Sequence, residues 1–132
     1  MPFSDSELGY LASQTLGRLA TVSADGRVQN NPVGFYVNAD GTIDIRGHRL
    51  SASRKFRNVR DTGTAALVVD DLASVDPWHV RGIEIRGTAE ALEHLRPTNG
   101  HRSTEVIRIH PRRIIVWGID PAASGMRGRD VA

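Results

Sequence analysis

The 132-residue sequence contains no cysteine, and this absence excludes several kinds of chemistry. Disulfides, thiolate nucleophiles and cysteine-ligated zinc or iron–sulfur sites all require that side chain. The five histidines show no His-x-x-x-His or similar ligand spacing, so we expect no metal site. Neither a nucleophile elbow nor a paired-acid pattern occurs, so we expect no catalytic residue of the hydrolytic kind.

Long apolar runs and an excess of one charge are also missing. No run approaches the ~18 apolar residues of a membrane-spanning helix, and the start, MPFSDSELGY, has neither a basic nor a continuous apolar region of a secretory signal. We therefore expect a cytoplasmic protein with no membrane partner. Seventeen Lys and Arg residues against fifteen Asp and Glu residues leave a formal charge of +2. That balance is too even for phosphate-backbone binding, so we expect no nucleic-acid partner.

The patterns that are present indicate one mostly β domain. Ser4 and Glu7 have the spacing of a capping box, which predicts a short helix that ends before Gly17. From there, segments with a period of two alternate with turn residues, which predicts six or seven strands. The predicted strands are GRLATVS, VQNNPVGFYV, TIDIRG, TAALVVDD, RGIEIRGTAEAL, TEVIRIHP and RRIIVWGID. Short strands that follow one another with only turns or short helices between them favour a mostly antiparallel barrel that is closed or nearly closed.

A second helix is predicted in SASRKFRNVRD, with Ser51 as its N-cap. It follows the strongest concentration of positive charge, RGHRLSASRK at residues 46–55, which contains the only lysine of the chain. Ser51, Arg54 and Lys55 can gather at the first helical turn, where free N–H groups and the helix dipole favour anions. Arg46 can join them from the end of the preceding strand. These residues predict a phosphate cradle.

The alternative interpretation of this segment is an ordinary capped helix with a solvated basic face. Arg57 would then pair with Asp61 at i,i+4. No Gly-rich Walker or dinucleotide motif accompanies the segment, so neither a P-loop nor a Rossmann site is predicted.

Two further features have both a structural and a functional interpretation. In QNNPVGF, proline cannot donate to a strand ladder, so Asn31-Pro32 predicts a bulge or a sheet edge. In the structural interpretation, the amide side chains are polar residues at a local irregularity of the strand. In the functional interpretation, they line a strand that contacts a heteroaromatic ring. Trp78 and Trp117 are the only tryptophans. Core packing accounts for Trp117 more readily than for Trp78, which lies in the polar segment VDPWHVRG.

Taken in order, QNNPVGF, IRGHRLSASRKFRNVRD, VRGIEIRGTAE and RIHPRRIIVWG resemble the split-β-barrel flavin and deazaflavin oxidoreductases. This is the pyridoxamine 5′-phosphate oxidase superfamily, and the sequence is most similar to its F420-dependent branch. The resemblance covers about residues 5–120. It implies a mostly β fold, a six- to seven-stranded antiparallel split β-barrel with two short helices. We expect one cofactor-binding domain over residues 1–120 and a flexible tail over residues 121–132.

The resemblance also implies a set of cofactor-binding residues. The Ser-Arg-Lys segment would hold the cofactor phosphate, and the second strand would lie against the isoalloxazine or deazaflavin ring. Members are homodimers with the cofactor between the subunits, so the two tryptophans are expected to approach it, including from the partner subunit. The implied residues are Asn30, Asn31, Pro32, Val33, Arg46, Gly47, Ser51, Ser53, Arg54, Lys55, Trp78 and Trp117.

The function that this resemblance implies is an F420-dependent oxidoreductase. It would transfer a hydride from the reduced deazaflavin to an activated C=C or similar acceptor in a conjugated small molecule. An FMN-dependent oxidoreductase, a non-catalytic flavin or F420 carrier and, more distantly, an RNA-binding barrel are the alternatives. Further cations, Arg49, Arg57 and Arg60, favour F420 because its oligoglutamate tail is a longer anion than FMN. The extra C-terminal basic segments of the vitamin-converting oxidases are missing, which argues against pyridoxamine phosphate oxidase activity.

Overall fold

A computed structural model describes residues 1–97 and 103–131 of the chain. The fold is mostly β, with two α-helices, and its elements are spaced along the chain as follows. The order is α1 (Asp5–Ser13), β1 (Gly17–Val22), β2 (Val28–Val33), β3 (Tyr36–Val37), β4 (Ile43–Ile45), a 3-10 helix (Leu50–Ala52), α2 (Arg54–Thr62), β5 (Thr64–Ser74), β6 (His79–Leu92), β7 (Val106–Trp117) and β8 (Met126–Asp130). No helix among the described residues has the length and apolarity needed to span a membrane.

The strands form one antiparallel sheet in the order β2-β1-β5-β6-β7-β4-β3, and β8 pairs with β7 beside this path. The two end strands, β2 and β3, do not pair with each other in the part of the chain that the structure describes. The sheet is therefore a curled half-barrel, and the predicted fold class is confirmed. Its concave side holds the core, which includes Leu19, Ile43, Ile45, Phe56, Leu67, Val69, Ile83, Ile85, Ile107, Ile109 and Ile114.

Local sequence patterns predicted several elements of the fold correctly. Ser4 caps α1 and forms the predicted capping box with Glu7. Gly26 has a φ of +87°, as the predicted Asp-Gly turn between β1 and β2 requires. Pro32 lies in β2, which among the described residues pairs with β1 alone and without a register shift. The Asn31-Pro32 pair therefore marks a sheet edge, where proline is tolerated, and not a bulge.

The strand boundaries differ from the prediction at two places. The predicted loop DLASVDPWHV is mostly strand, because β5 continues to Ser74 and β6 begins at His79. The last two predicted strands are a single strand, β7, whose register shifts by one residue opposite Arg86 and Gly87. Proline is accommodated at this irregularity, so Pro111 does not end the strand.

Residues 126–130 lie in the predicted flexible tail, yet they form β8 along β7. A strand therefore lies within the segment that was expected to be a flexible tail. Arg129 explains the order, because its guanidinium bonds both carboxylate oxygens of Glu7 in α1, at 2.8 and 2.6 Å. A contact 122 residues apart in sequence holds the strand, and no local pattern encodes it. The polar segment HLRPTNGHRS was expected to be mobile, and its residues 98–102 lie outside the described residues.

Candidate cofactor site

The second α-helix begins two residues later than predicted. Arg49 has a left-handed φ of +52°, and the buried Leu50 starts a 3-10 turn before α2. Ser53 is the N-cap of α2: its hydroxyl accepts from the Phe56 N–H at 3.3 Å and donates to the Leu50 carbonyl at 2.6 Å. The prediction of Ser51 as N-cap is therefore wrong. The only hydroxyl proton of Ser53 is used in the hydrogen bond to the Leu50 carbonyl. In this arrangement Ser53 therefore stabilises the start of the helix and cannot donate a hydrogen bond from its hydroxyl to an anion.

Ser51 lies in the 3-10 helix, and its backbone N–H already has an anionic partner. The N–H donates to Glu105 Oε1 at 2.9 Å. Glu105 precedes β7, and its own segment is fixed by a bond between Arg46 Nη1 and the Ser103 carbonyl at 2.8 Å. The loop before β7 thus packs against the end of β4, and the Ser51 N–H is not available to a phosphate in this conformation.

Positive charge without a carboxylate partner is concentrated in residues 46–57, which we call the basic segment. Eight arginines elsewhere on the described chain, including Arg60, lie within 4 Å of a carboxylate. Every cation of the basic segment lacks such a partner among residues 1–97 and 103–131. These cations are Arg46, Arg49, Arg54, Lys55 and Arg57.

This distribution bears on the two interpretations of the basic segment. The Arg57–Asp61 pair of the alternative interpretation does not form among the described residues, and Asp61 instead pairs with Arg60 at 3.4 Å. Exposed ion pairs of this kind stabilise a fold only slightly. Like charges that are near in sequence and lack carboxylate partners repel one another where their side chains approach, and a bound anion reduces that repulsion. The unpaired charge of the basic segment therefore favours an anion site over an ordinary basic face. Arg60, which was expected to be one of the cations near the cofactor, is paired with Asp61 instead.

Arg46 and Gly47 lie where β4 leaves the sheet. The Nε of Arg46 is buried and has no hydrogen-bond partner among the described residues. A buried unpaired donor is costly, so this atom is a point where an added acceptor would stabilise the protein. A Cβ on Gly47 would meet no atom closer than the Leu50 Cδ1 at 3.8 Å, so the protein's own packing does not require glycine there.

The four predicted residues of β2 lie on two different faces of the sheet. Asn31 and Val33 point to the concave side, and Val33 is 7% exposed. Asn30 and Pro32 alternate with them and are exposed on the convex side. Asn31 Oδ1 is buried and accepts from no described donor. Of this quartet, Asn31 and Val33 are therefore the two that share a face with the core.

Gln29 belongs with the concave pair, and the sequence analysis did not select it. Its Oε1 is also buried without a partner among the described residues. Gln29 and Arg54 line one cavity of about 420 Å³ between β2 and α2. The alternation of the strand would have identified Gln29, because it stands two residues before Asn31 on the same face.

The two tryptophans lie far from this region within one chain. Trp78 is 69% exposed in the turn between β5 and β6. Trp117 is half-buried opposite Gly82, where a Cβ would approach the indole ring to 2.3 Å. The helix α2 leads into the other end of β5, and an 11-residue strand spans about 35 Å. The structure therefore does not bring Trp78 or Trp117 to the basic segment of the same chain.

A separate polar cluster fixes α1 on the β5–β6 hairpin. The Tyr10 hydroxyl donates to Asp71 Oδ1 at 2.8 Å, and Arg81 bonds both oxygens of Asp71. Burial, and then the hydrogen bond to Asp71, raise the pKa of Tyr10 above its usual range. The hydrogen bond from Arg81 is the main cause that lowers the pKa of Asp71. The cluster is complete by itself and has a structural role.

Comparison with known proteins places this geometry in a family. The sequence profile of pyridoxamine 5′-phosphate oxidase matches residues 6–118. The chain belongs to the pyridoxamine 5′-phosphate oxidase family. The predicted resemblance is confirmed, and with it the coarse activity, that of an oxidoreductase acting on a small molecule.

Individual members and neighbours extend this result. A 5a,11a-dehydrotetracycline/5a,11a-dehydrooxytetracycline reductase of Streptomyces rimosus is 47% identical over 138 aligned positions, covering 99% of this chain and 94% of the relative. Group A Streptococcus HupZ has a TM-score of 0.70 at 19% identity, covering 88% of this chain and 94% of that one. An FAD-binding protein of Mycobacterium smegmatis has a TM-score of 0.64 at 19% identity, covering 98% of each chain. These two structures show that the fold is shared.

Proposed function

We propose that the protein is an F420-dependent reductase that delivers a hydride to an activated C=C bond of a conjugated small molecule. The observation that carries the proposal is the 47% identity, over almost the whole chain, to a reductase of 5a,11a-dehydrotetracyclines. That prefix denotes a double bond between two carbons of a fused-ring compound. The substrate proposed for this chain is accordingly a planar polycyclic compound with a double bond conjugated to a carbonyl group.

The residues of the site fit a large anionic cofactor with a polar heteroaromatic ring. Lys55, Arg54 and Arg46 carry unpaired positive charge for the phosphate, in the part of the chain that the structure describes. The Asn31 amide is unpaired on the concave face and would bond the polar edge of the ring, and Val33 provides an apolar wall beside it. When bound, reduced F420 supplies the hydride. The chain's own residues bind, orient and shield the reacting groups, which explains why no catalytic dyad is needed.

Side-by-side titration of F420 and FMN tests the cofactor assignment. We expect F420 to bind more tightly and with a steeper salt dependence, because its tail adds carboxylates that interact through solvent with exposed cations such as Arg49 and Arg57. Raising NaCl from about 0.05 to 0.5 M shortens the screening length about threefold and should weaken that part of the affinity. Direct hydrogen bonds to the phosphate should be less sensitive. The measurement is fluorescence titration across this range.

Tighter binding of FMN at every salt concentration would contradict the F420 assignment, and parallel salt slopes would contradict the role of the exposed cations. Turnover is tested separately by mixing the loaded protein with reduced F420 and a 5a,11a-dehydrotetracycline and following cofactor reoxidation. Binding without reoxidation on any conjugated acceptor of this class would favour a cofactor carrier.

We also propose a homodimer in which the second subunit completes the cofactor groove. The convex face carries a shallow, mostly apolar depression of about 260 Å³ that includes Ala20, Val28 and Ala66, and Val28 is 84% exposed. A small half-barrel offers little enclosed volume for a large cofactor, and a partner could supply the missing wall, including the distant tryptophans. Light scattering should give about twice the 14.4 kDa chain mass.

An Ala66→Arg variant is expected to shift the protein to a monomer and to weaken cofactor binding in parallel. Arg60→Gln, whose exposed side chain pairs with Asp61 on α2, is the control and should remain dimeric. A wild-type monomer that still binds cofactor tightly would exclude the shared groove.

A further inference from the structure

Residues 103–105, which lead into β7, hold two residues that the family resemblance implied for the cofactor. The Ser103 carbonyl accepts from Arg46 Nη1 at 2.8 Å, and Glu105 Oε1 accepts from the Ser51 N–H at 2.9 Å. The segment is also ordered within itself. The Ser103 hydroxyl donates to the Glu105 carbonyl and accepts from the Glu105 N–H, each at 3.1 Å. We call residues 103–105 the anchor segment.

The half-buried carboxylate of Glu105 bonds the backbone of the basic segment and none of its cations. Its partner there is the neutral N–H of Ser51, and no cation of residues 46–57 has a carboxylate within 4 Å in the part of the chain that the structure describes. A carboxylate that accepts from a backbone N–H makes the same kind of charge-assisted hydrogen bond as a phosphate oxygen. Glu105 therefore occupies a donor that a cofactor phosphate would use.

The two donors that the anchor segment holds have no full set of partners of their own. The N–H groups of Ala52 and Ser53 bond carbonyls of their own turn at 3.1 and 2.9 Å, whereas the N–H of Ser51 depends on Glu105. Arg46 bonds Ser103, but its buried Nε has no partner among residues 1–97 and 103–131. Because a buried donor without an acceptor is costly, an arriving anion gains by satisfying it.

We infer that Glu105 is an internal competitor of the cofactor phosphate. Its carboxylate holds the Ser51 N–H before the cofactor binds, and the phosphate then takes this N–H in its place, so that the start of β7 is released from the basic segment. Glu105 thereby lowers the affinity for the cofactor. The inference rests on the phosphate site of the proposed function, but not on the choice between F420 and FMN.

Glu105→Gln tests the competition, because glutamine keeps an oxygen that can accept from the N–H but removes the charge. Fluorescence titration of the full chain should show F420 and FMN each binding about fivefold to tenfold more tightly than to wild type, since a neutral acceptor competes less well for the N–H. Asp5→Asn is the control for the change in net charge. It removes an exposed carboxylate from α1 and should bind both cofactors within about twofold of wild type.

Glu105→Ala provides a second readout, which is stability. Without cofactor, this variant leaves the Ser51 N–H unpaired and should melt at a lower temperature than wild type. At saturating cofactor the phosphate holds the N–H in both proteins, so the difference in melting temperature should disappear. A residue that only supports the fold would lower the melting temperature equally with and without cofactor.

Equal or weaker binding of both cofactors by Glu105→Gln, or a loss of stability in Glu105→Ala that persists at saturating cofactor, would overturn the competitor role. If FMN follows the expected pattern and F420 binds to none of the proteins, the competitor role stands and the F420 dependence is wrong. Failure of both cofactors to bind wild type and both Glu105 variants would overturn the phosphate site and the competitor role together.

Discussion

Lys55→Ala is expected to weaken F420 binding by about 1.5 to 3 kcal/mol, the contribution of a hydrogen bond to a charged group. Lys55 is the only lysine, stands in the first turn of α2 and is half-buried. It has no carboxylate partner among the described residues, so its removal breaks no ion pair there. The free N–H groups of that turn and the helix dipole act on the same anion, but they are unchanged by the substitution.

The same substitution should barely affect the fold. Alanine has a helix propensity at least as favourable as that of lysine, so the free energy of unfolding should change by less than about 0.5 kcal/mol. Fluorescence titration and thermal denaturation of the same preparations measure the two quantities. Arg60→Ala removes a cation from the same helix and should leave the affinity close to that of wild type. An unchanged affinity together with a lower melting temperature would show that Lys55 belongs to an ordinary basic helix face.

Arg129→Met is expected to lower the free energy of unfolding by about 3 kcal/mol. Its guanidinium bonds both oxygens of Glu7, whose side chain is only 6% exposed, and also the Pro2 carbonyl at 2.8 Å. Methionine keeps much of the apolar volume but leaves a buried carboxylate without its charged partner. We place the effect at the lower end of the range for broken buried pairs, because Arg129 itself is 40% exposed.

The pH dependence of stability separates this cause from a simple packing defect. Burial raises the pKa of Glu7, but the hydrogen bonds from Arg129 and Ser4 outweigh it, so the pKa lies below the ordinary 4.5. The carboxylate therefore stabilises the wild-type fold above pH 4.5, and this contribution is lost as the pH falls through the lowered folded pKa. Without Arg129, burial raises the pKa of Glu7, and protonation at low pH then relieves the penalty. The difference between wild type and variant should accordingly begin to narrow as the pH falls through the raised pKa of Glu7 in the variant, above 4.5, and should narrow further as the pH falls below 4.5.

Chemical denaturation at pH 7 and pH 4 provides the measurement. Arg127→Met is the control, because Arg127 belongs to the same strand, is exposed and has no carboxylate within 4 Å in the described part of the chain. Glu7→Gln combined with Arg129→Met should recover part of the loss, since the unpaired charge is removed. A stability difference that is the same at both pH values would point to lost packing of β8 and not to the buried carboxylate.

The sequence by itself determined those features that depend on neighbouring residues. The Ser4–Glu7 capping box, the turn at Gly26 and the period-two strands are local, because each is fixed by side chains and backbone groups within a few residues. The basic segment at residues 46–57 is likewise visible as a cluster of charge. The family resemblance, which the sequence profile over residues 6–118 confirms, depends on these same local motifs and their order.

Only the tertiary structure decided which groups of the site are paired and which are free. The alternative interpretation of the basic segment paired Arg57 with Asp61, and Arg60 was expected to be available to the cofactor. In the structure Arg60 pairs with Asp61, because rotamers and not spacing alone select the partner. A buried Leu50 turns the chain before α2, so the capping role passes from Ser51 to Ser53.

Contacts between distant parts of the chain account for the remaining differences. The tail is ordered as β8 by the bond between Arg129 and Glu7, and Gln29 shares a cavity with Arg54 because β2 and α2 meet in the fold. Such contacts join residues far apart in sequence, and their free energy depends on burial and geometry that no short pattern contains. The sequence therefore fixed the kinds of groups that can bind a cofactor, and the packing of the sheet against α2 determined which of them face the same cavity.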